Sequence, residues 1–331
     1  MQLTEIHQIS RADNNWKKID ELCFLSKNLY NATLYKIKQR YELDGKYLRY
    51  HDLEREFRAE KNVDYFAIST TTSQQILMLV DKNLKSYFQA LKVFKKDKTK
   101  FTGCPQFPKY KHKTKGRNVY IFTGSICRIK KDGYLHFMKK VNLQPIKTNL
   151  PENATLNQVR LIPSSGCYKI EIVYTIQEKE PIQSDKILGI DLGLNNLFTC
   201  ITHKLDKPFI INGKPLKSVN QYYNKKKGKI QSQLEKNHKK KTSKKLQMLT
   251  RKRNNKIKDY LHKSTRIVVN YCVENQISKV VIGYNKEWKQ DINLGKKTNQ
   301  NFVQIPFLQG INQLQYKLKL EGIECIIHEE S

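Results

Sequence analysis

The chain contains 331 residues, of which 38% are hydrophobic, with 14 glycines and 9 prolines. This composition excludes a disordered chain, and the length predicts two or three folded domains. No apolar run is long enough to cross a membrane, and the first residues lack the pattern of a signal peptide, so we predict a cytoplasmic protein. The 62 Lys and Arg against 30 Asp and Glu give a net charge of +32, which predicts binding to a nucleic acid.

The first third of the chain predicts a short strand followed by helices. Residues 1–12 fit the strand. Apolar residues then recur at helical spacing over 13–45 and again after a Thr/Ser-rich cap region at 70–73. We therefore predict a helical subdomain over residues 13–100, with many lysines on its outer faces.

From Phe101 onward, short runs of alternating polarity predict strands. Examples are residues 118–122 and 168–176, and turn residues separate the runs. These runs predict a small antiparallel barrel or sheet. Since the first strand can complete it, we expect a β-barrel domain made of residues 1–12 plus 101–180, with the helical subdomain inserted in it.

The last part of the chain has the pattern of a mixed sheet. Residues 187–191 form an apolar run that ends in a carboxylate, and two further strand-like runs follow it. Next come a long basic helical stretch at 217–275, a buried-looking strand at 279–282, a helix, and a last strand at 323–328. This order is typical of an RNase H-like fold. The predicted fold class is therefore α+β multidomain, with an RNase H-like α/β domain over 186–331 that contains a long basic helical insertion.

Asp191 is the sharpest candidate for chemistry. A carboxylate at the end of a buried strand costs desolvation energy unless a cation offsets that cost. A divalent metal is the usual solution, because hard cations prefer carboxylate oxygens. Gly189 and Gly193 on either side would allow a phosphodiester to approach the backbone closely. The alternative is an aspartate that only caps a turn at the end of the strand, and spacing alone leaves both interpretations open.

The basic helical stretch predicts contact with phosphates. Its acids are essentially Glu235 and Asp259, whereas a solvated helix normally mixes glutamate with lysine. The alternatives are a merely solvated charged face and a lysine bias from an AT-rich genome, although such a bias would raise glutamate as well. The predicted nucleic-acid-binding residues of this stretch are Lys225, Lys226, Lys227, Lys239, Lys240, Lys241, Lys244, Lys245, Arg251, Arg253, His262 and Lys263.

A second predicted contact with nucleic acid lies in the loop at 105–111. Phe107 and Tyr110 stand among basic residues there, as Trp288 does elsewhere, and such rings either stack on bases or pack into a core. The predicted binding residues of this loop are Lys109, Tyr110 and Lys111.

Four motifs in order give the chain a resemblance to a known family. Residues 189–199 (GIDLGLNNLFT) resemble the first RuvC motif of the TnpB-type (OrfB) transposon-encoded, RNA-guided DNA nucleases. Residues 105–111 (PQFPKYK) are similar to the family's proline–aromatic–basic segment. Residues 259–264 (DYLHKS) are similar to the helix before its second RuvC strand. Residues 285–290 (NKEWKQ) with 299–307 (NQNFVQIPF) resemble the connection after that strand in one subgroup.

The resemblance implies partners, a cofactor and a site. A guide RNA and double-stranded target DNA are the expected partners, bound in part by the basic helices, with no membrane partner. Mg²⁺ is the expected cofactor, with Asp191 as its first ligand, and two such ions activate water and stabilise the leaving oxygen. The expected location is the cytoplasm, in association with the nucleoid. The oligomeric state is not predicted.

Two departures from the family pattern concern the metal site. Most of the family has a glutamate where this chain has Gly283. Either Glu287, Glu329 or Glu330 replaces it, or the second metal site is lost. Of these glutamates, the last two lie at the end of the final strand, and Asp191 with Glu330 is the predicted metal pair.

The second departure lies at the end of the sequence. The family continues with a zinc ribbon and a third RuvC aspartate, whereas this sequence ends at Ser331, so we expect a C-terminally truncated chain. The seven cysteines are scattered without a C-x-x-C pair, and no zinc site is predicted.

Three functions are therefore weighed. The first is a transposon-associated RNA-guided DNA endonuclease that is inactive as this truncated chain. The second is a catalytically incompetent RNA-guided DNA-binding protein or relic. The third is a conventional RNase H-fold transposase, which would need a carboxylate triad that the sequence does not display.

Overall fold

The structure, a computed structural model, describes residues 1–45, 47–203, 205–238, 241–285 and 302–329, and only the backbone at 205–207, 237 and 238. The chain divides into two compact units. We call Gln2–Ile176 the N-terminal unit, and Met1 together with Gln177–Ser331 the C-terminal unit. Within the described ranges, no helix is long and apolar enough to cross a membrane.

The helices of the N-terminal unit follow the predicted periodicity. They are α1 (Trp16–Asp44), α2 (Tyr50–Ala59), α3 (Val63–Phe66) and α4 (Thr70–Lys96). The two long helices bury their apolar faces, with residues such as Ile19 and Leu84 fully enclosed. Ser69 caps α4, because its side chain accepts a hydrogen bond from the Thr72 backbone N–H. The cap therefore lies one residue before the predicted cap region.

The strands of the N-terminal unit form two sheets. They are β1 (Gln2–Ile9), β2 (Tyr120–Thr123), β3 (Cys127–Ile129), β4 (Tyr134–Phe137), β5 (Ile146–Lys147), β6 (Thr155–Ser164) and β7 (Cys167–Thr175). One antiparallel sheet has the order β1-β7-β6-β2, and the other has the order β3-β4-β5. Among the described strands neither sheet closes, so the predicted barrel is replaced by two open sheets. Strand alternation indicates which face is buried, but it does not determine whether a sheet closes.

The helices and sheets of this unit share one core. Leu29 and Leu34 of α1 and Leu77 of α4 belong to the same buried cluster as Phe122 of β2 and Ile170 of β7. The helical segment therefore does not form a separate core of its own.

The C-terminal unit contains a five-stranded mixed sheet with helices. Its elements are β8 (Ile187–Leu192), β9 (Asn196–Thr202), β10 (Leu205–Asn212), α5 (Lys214–His238), α6 (Lys244–Glu274), β11 (Lys279–Gly283), α7 (Phe307–Leu320) and β12 (Glu324–His328). The strand order is β10-β9-β8-β11-β12. The first three strands are antiparallel, whereas β11 is parallel to both β8 and β12. The element order agrees with the sequence prediction, and the chain is a mixed α and β protein.

Helices cover one face of this sheet. Ile190 of β8 and Ile282 of β11 pack into a cluster with Leu261 and Val268 of α6 and Leu314 of α7. The alternate residues face the other way, and there Ile201 and Ile210 are 58% and 55% exposed. The basic helices predicted within 217–275 are α5 and α6, and Ser243 caps the start of α6 by accepting a hydrogen bond from the Leu246 backbone N–H.

Candidate nucleic-acid and metal sites

Asp191 lies on the central strand of the sheet but on its exposed face. Its neighbours Ile190 and Leu192 are buried beneath the helices, whereas the Asp191 side chain points to the opposite side. Thr199 of β9 is its antiparallel partner. Asp191 therefore lies near the end of its strand, as predicted, but its carboxylate is exposed and not buried. The argument that a cation must offset its desolvation therefore does not hold.

The residues in line with Asp191 are weak candidates for a second carboxylate. Ile190 pairs with Ile282, so Gly283 follows beside Asp191, and Gly283 in turn pairs with His328. Neighbouring strands lie about 4.8 Å apart, so β12 is roughly 10 Å from β8. Asp191, Gly283 and His328 thus form one row across β8, β11 and β12. Gly283 has no side chain, so the ionisable residue that shares this row with Asp191 is His328.

Of the three glutamates predicted to replace the missing carboxylate, the structure describes Glu329. Glu329 is exposed and directly follows β12, one residue beyond the row of His328. Glu287 and Glu330 lie outside the described residues. In the described part of the chain, no group of three or more His, Cys, Asp and Glu side chains is placed to hold a metal ion. These side chains alone do not fit a two-magnesium site, which needs several carboxylates in a fixed shell.

The two glycines that flank Asp191 differ in how closely the surrounding atoms approach them. A Cβ at Gly193 would lie 2.6 Å from the Asn196 carbonyl oxygen, so the turn from β8 to β9 requires glycine there. A Cβ at Gly189 would meet only Ile201 at ordinary contact distance, 3.6 Å. Gly193 is therefore explained by the turn, without any need for a bound phosphodiester.

The basic helices present the predicted cationic surface. Lys225 and Lys226 on α5 and Lys244 and Lys245 on α6 are exposed, as is Lys241 just before α6. Helix α5 carries seven lysines and one acid, and α6 carries nine Lys or Arg and two acids. Most of these charges therefore have no acidic partner on their own helix. Lys239 and Lys240 lie outside the described residues.

Several of the other cations predicted to bind nucleic acid are partly buried or contact other residues of the protein. Arg253 donates hydrogen bonds to Asn220 Oδ1 at 2.8 Å and to the Gln304 carbonyl oxygen at 3.0 Å. Burial lowers its pKa. Lys263 pairs with Asp259 at 2.8 Å, while Lys227 and Arg251 are half-buried. Arg253 thus ties α6 to α5 and to residue 304, a structural role.

His262 is half-buried, and its environment disfavours a positive charge. Burial, followed by the nearby Lys317 and Lys258, lowers its pKa to about 4. The imidazole is therefore neutral at pH 7 and lacks the charge that makes a histidine an attractive phosphate ligand. Its assignment as a nucleic-acid contact stays a prediction.

The loop at 105–111 belongs to the N-terminal unit. Lys109 is exposed, and Tyr110 is 46% exposed. Lys111 is held against α1, since its backbone N–H donates to Asn31 Oδ1 at 2.9 Å and its ammonium lies 4.9 Å from the Tyr30 ring centroid. Burial lowers the Lys111 pKa.

Of the two other aromatic residues that the sequence placed among basic residues in loops, the structure describes Phe107. Phe107 packs edge-on against Tyr87, with ring centroids 5.4 Å apart, so its ring belongs to the core. Trp288 lies outside the described residues.

Sequence reasoning missed the aromatic residues of the basic helices. Tyr222 and Tyr223 of α5 line a groove of about 1090 Å³ between α5 and α6. Tyr222 is 60% exposed. The signal was present in the sequence as two adjacent tyrosines in a lysine-rich helix, but the position of the groove depends on how α5 and α6 pack.

Comparison of the fold with solved structures defines the class of this chain. A structure described as the Cas12f1–sgRNA–target DNA complex superposes with a TM-score of 0.53 at 13% identity, over 95% of this chain and 74% of that chain. A second, described as a CRISPR-Cas12f ternary complex, covers 94% of this chain and 71% of that one at 14% identity, with a TM-score of 0.34. The first of these superpositions shows that the chain has a mixed α/β fold similar to that of Cas12f1.

Comparison of the sequence with family models identifies the resemblance more narrowly. Residues 171–289 match the OrfB_IS605 model, described as a probable transposase. The matched stretch includes Asp191, the basic helices and β11. The resemblance to the TnpB-type (OrfB) family that the motifs predicted is thereby confirmed. No curated protein sequence matches the chain significantly.

Proposed function

We propose that this chain acts as a TnpB-like, RNA-guided DNA-binding protein that holds a guide RNA and a double-stranded DNA target along α5 and α6. The observation that carries the proposal is the cationic surface of these two helices, which has few acids to balance it. A phosphate backbone supplies the missing negative charge, with a gain from released counterions. The OrfB match over the same residues and the Cas12f-like fold support this proposal.

Cleavage is a separate part of the proposal. The TnpB-like relation suggests a nuclease, and Asp191 is the residue in this chain that matches the family's first metal ligand. Gly283, however, stands beside Asp191 where a carboxylate is expected. We therefore propose that the chain by itself binds its target without cutting it. A conventional strand-transferring transposase is disfavoured by the same observation, because it also needs a carboxylate triad.

The binding surface is tested by removing three exposed lysines of the basic helices. The triple variant Lys225→Gln, Lys244→Gln and Lys245→Gln is expected to bind a duplex roughly 10-fold more weakly at about 0.15 M salt. The slope of log K against log salt should fall by about one for each lost phosphate contact. Fluorescence anisotropy with a labelled DNA duplex, titrated at several salt concentrations, measures both quantities.

A matched control carries the same change in net charge elsewhere. Lys130, Lys131 and Lys139 are exposed in the N-terminal unit, outside the predicted interface. Their triple replacement by glutamine should leave the slope within experimental error of the wild type. Equal losses in the two triple variants would mean that only overall charge matters, and would sink the assignment of the surface to α5 and α6.

RNA guidance needs its own measurement. RNA that co-purifies with the wild-type protein is sequenced, and duplexes that do or do not contain the complementary sequence are compared in the presence of that RNA and Mg²⁺. We expect at least 10-fold tighter retention of the matched duplex, because pairing with the guide supplies sequence specificity, and no cleavage product. Equal retention of both duplexes would contradict RNA guidance, and cleavage of the matched one would contradict the proposed inactivity.

A further inference from the structure

The groove between α5 and α6 combines a hydrophobic surface with positive charge. We define the α5–α6 groove by the residues that face it from the two helices: Tyr222, Lys226 and Ile230 of α5, and Met248, Lys252 and Lys256 of α6. Its volume is about 1090 Å³, and none of the described residues that line it is an aspartate or glutamate. An exposed apolar surface inside a ring of cations is costly in water and suits an anionic ligand with a flat apolar part.

Tyr222 is the open aromatic surface of this groove. Its side chain is 60% exposed, and the Lys226 ammonium lies 5.7 Å from its ring centroid. Met248 on the facing helix is 49% exposed. Neither side chain is needed to fill the core, in contrast to Ile230, which is 9% exposed at the floor.

The neighbouring Tyr223 differs from Tyr222 because its hydroxyl and its ring both contact other residues of the protein. Its hydroxyl is hydrogen-bonded to Thr250 Oγ1 at 3.1 Å, and its ring is approached by the Arg253 guanidinium at 5.7 Å and the Lys227 ammonium at 5.9 Å. The hydroxyl of Tyr223 is thus hydrogen-bonded, and two cations lie near its ring. The contrast indicates that Tyr222 is available to a ligand.

A nucleotide whose base is unpaired fits this chemistry. Aromatic rings stack on any base, and lysines around them hold the phosphates. A fully paired duplex keeps its bases inside the helix and presents only phosphates to the groove. Among the described residues that line the groove, none is a fully buried polar side chain that could read a base edge, so stacking without sequence preference is expected.

We propose that the α5–α6 groove binds one unpaired nucleotide, with its base stacked on Tyr222 and its phosphates held by Lys226, Lys252 and Lys256. This inference rests on the proposed function and names the form of nucleic acid that this part of the surface takes. The nucleotide can come from RNA or from DNA, because both present the same stacking face. The two sources are separated by the probes below.

The experiment compares single-stranded and fully paired probes with variants of Tyr222. Labelled oligo(U) and oligo(dT) of about 15 nucleotides, and a fully paired duplex, are titrated at about 0.15 M salt. Tyr222→Ala should weaken single-strand binding roughly 5- to 100-fold and leave duplex binding within about twofold. Tyr222→Trp should keep the affinity, and its added indole fluorescence should be quenched by the single strand. The probe that shows the larger loss in Tyr222→Ala identifies the source.

A matched control and a competitor complete the design. Tyr35, 54% exposed on α1, offers an equally exposed tyrosine outside the groove, and Tyr35→Ala should leave single-strand binding unchanged. Equal losses for the single strand and the duplex in Tyr222→Ala, or no loss at all, overturn the stacking site. Competition by polyglutamate as strong as that by oligo(U) also overturns it, in favour of an acidic protein partner. A wild-type protein without salt-sensitive binding to any probe would instead defeat the proposed function itself.

Discussion

Replacement of Gly322 by alanine is expected to lower the free energy of unfolding of the C-terminal unit by on the order of 4 kcal/mol. Gly322 lies between α7 and β12 with a φ of +73°, in the left-handed region that costs an L-residue about 1 kcal/mol or more. An added Cβ would also lie 2.1 Å from the Glu180 carbonyl oxygen and 2.8 Å from its carbonyl carbon. Backbone atoms cannot rotate away as a side chain can, so the segment at 179–182 must move.

That movement breaks further bonds. The Lys179 N–H donates to the Leu320 carbonyl oxygen, and the Ile182 N–H donates to the Gly322 carbonyl oxygen, both at 3.1 Å. Each lost bond contributes about 1 kcal/mol to the destabilisation. The segment at 179–182 lies four residues before β8, the strand that carries Asp191, so the displacement acts on the chain that leads into this strand.

Gly228 provides the matched control for Gly322. It lies inside α5, and an added Cβ there would meet no atom within 4 Å. Gly228→Ala should stabilise the helix by about 0.5–1 kcal/mol, because glycine is a poor helix former. Hydrogen exchange of peptides that contain β8 and β11, measured over a urea series, reports the stability of the C-terminal unit. Equal protection in Gly322→Ala and wild type would refute the steric argument.

The helices and strands were largely predictable because periodicity reports local burial. The buried face of α1 and the positions along the chain of the strands around Asp191 follow from residues that must reach a core. The burial of Asp191 was not predictable from the same run. Residues 187–190 are all apolar or glycine, which suggested a strand covered on both faces. The described helices cover one face of the sheet, and Ile187 at the start of the strand is 38% exposed.

Long-range partners account for most of the other failures. The barrel prediction was wrong because β3, β4 and β5 pair among themselves, and a strand's pattern does not name its partner. The low pKa of His262 could not be predicted from its neighbours in sequence. Its largest cause is burial, followed by the charge of Lys317, which lies on another helix and far away in sequence.

The register of the sheet could not be obtained from sequence either. It brings Gly283 to the position beside Asp191 and His328 to the same row, two strands from Asp191. Spacing alone favoured the glutamates after β12, and of these Glu329 lies one residue beyond the row. The question of the second carboxylate therefore depends on geometry that periodicity does not contain.

Because of Lys317, the free energy of unfolding of the C-terminal unit is expected to increase as the pH rises above 8. The side chain is 5% exposed, and its ammonium donates to the His262 carbonyl oxygen at 2.8 Å and to Thr265 Oγ1 at 2.7 Å. Burial, and then the charge of Arg266, lower its pKa from 10.5 to about 8. Below pH 8 the lysine is charged in both the folded and the unfolded state, and the full cost of burying the charge is present.

Between pH 8 and about 10.5 the folded protein loses this proton while the unfolded chain keeps it. The unfolded state then binds more protons, so stability rises with pH, by on the order of 3 kcal/mol across the window. Lys317→Met keeps the apolar stem and removes the charge, so we expect it to be more stable than wild type at pH 7 by roughly 1–3 kcal/mol and to lack the alkaline rise. Urea unfolding at pH 7, 8, 9 and 10 measures the difference between the two proteins.

Lys319 on the same helix is the control for this pH dependence. Its side chain is 63% exposed and its ammonium lies 3.4 Å from Glu178 Oε1. Lys319→Met should therefore keep the alkaline rise of the wild type. Parallel curves for Lys317→Met and wild type from pH 7 to pH 10 would show that the buried ammonium carries no such cost.

The same substitution also tests why His262 is neutral. The Lys317 charge is the second cause of the low His262 pKa, after burial, so Lys317→Met should raise that pKa from about 4 toward its ordinary value of 6.5. In the wild type, His262 of the unfolded chain is protonated below about pH 6.5, whereas His262 of the folded protein is protonated only below about pH 4. The unfolded state therefore binds more protons between these values, and the free energy of unfolding falls as the pH drops through that window. Lys317→Met should shrink this acid loss as well as abolish the alkaline rise, and an NMR titration of the His262 ring measures the shift directly. An unchanged His262 pKa in the variant would leave burial and the nearby Lys258 as its causes.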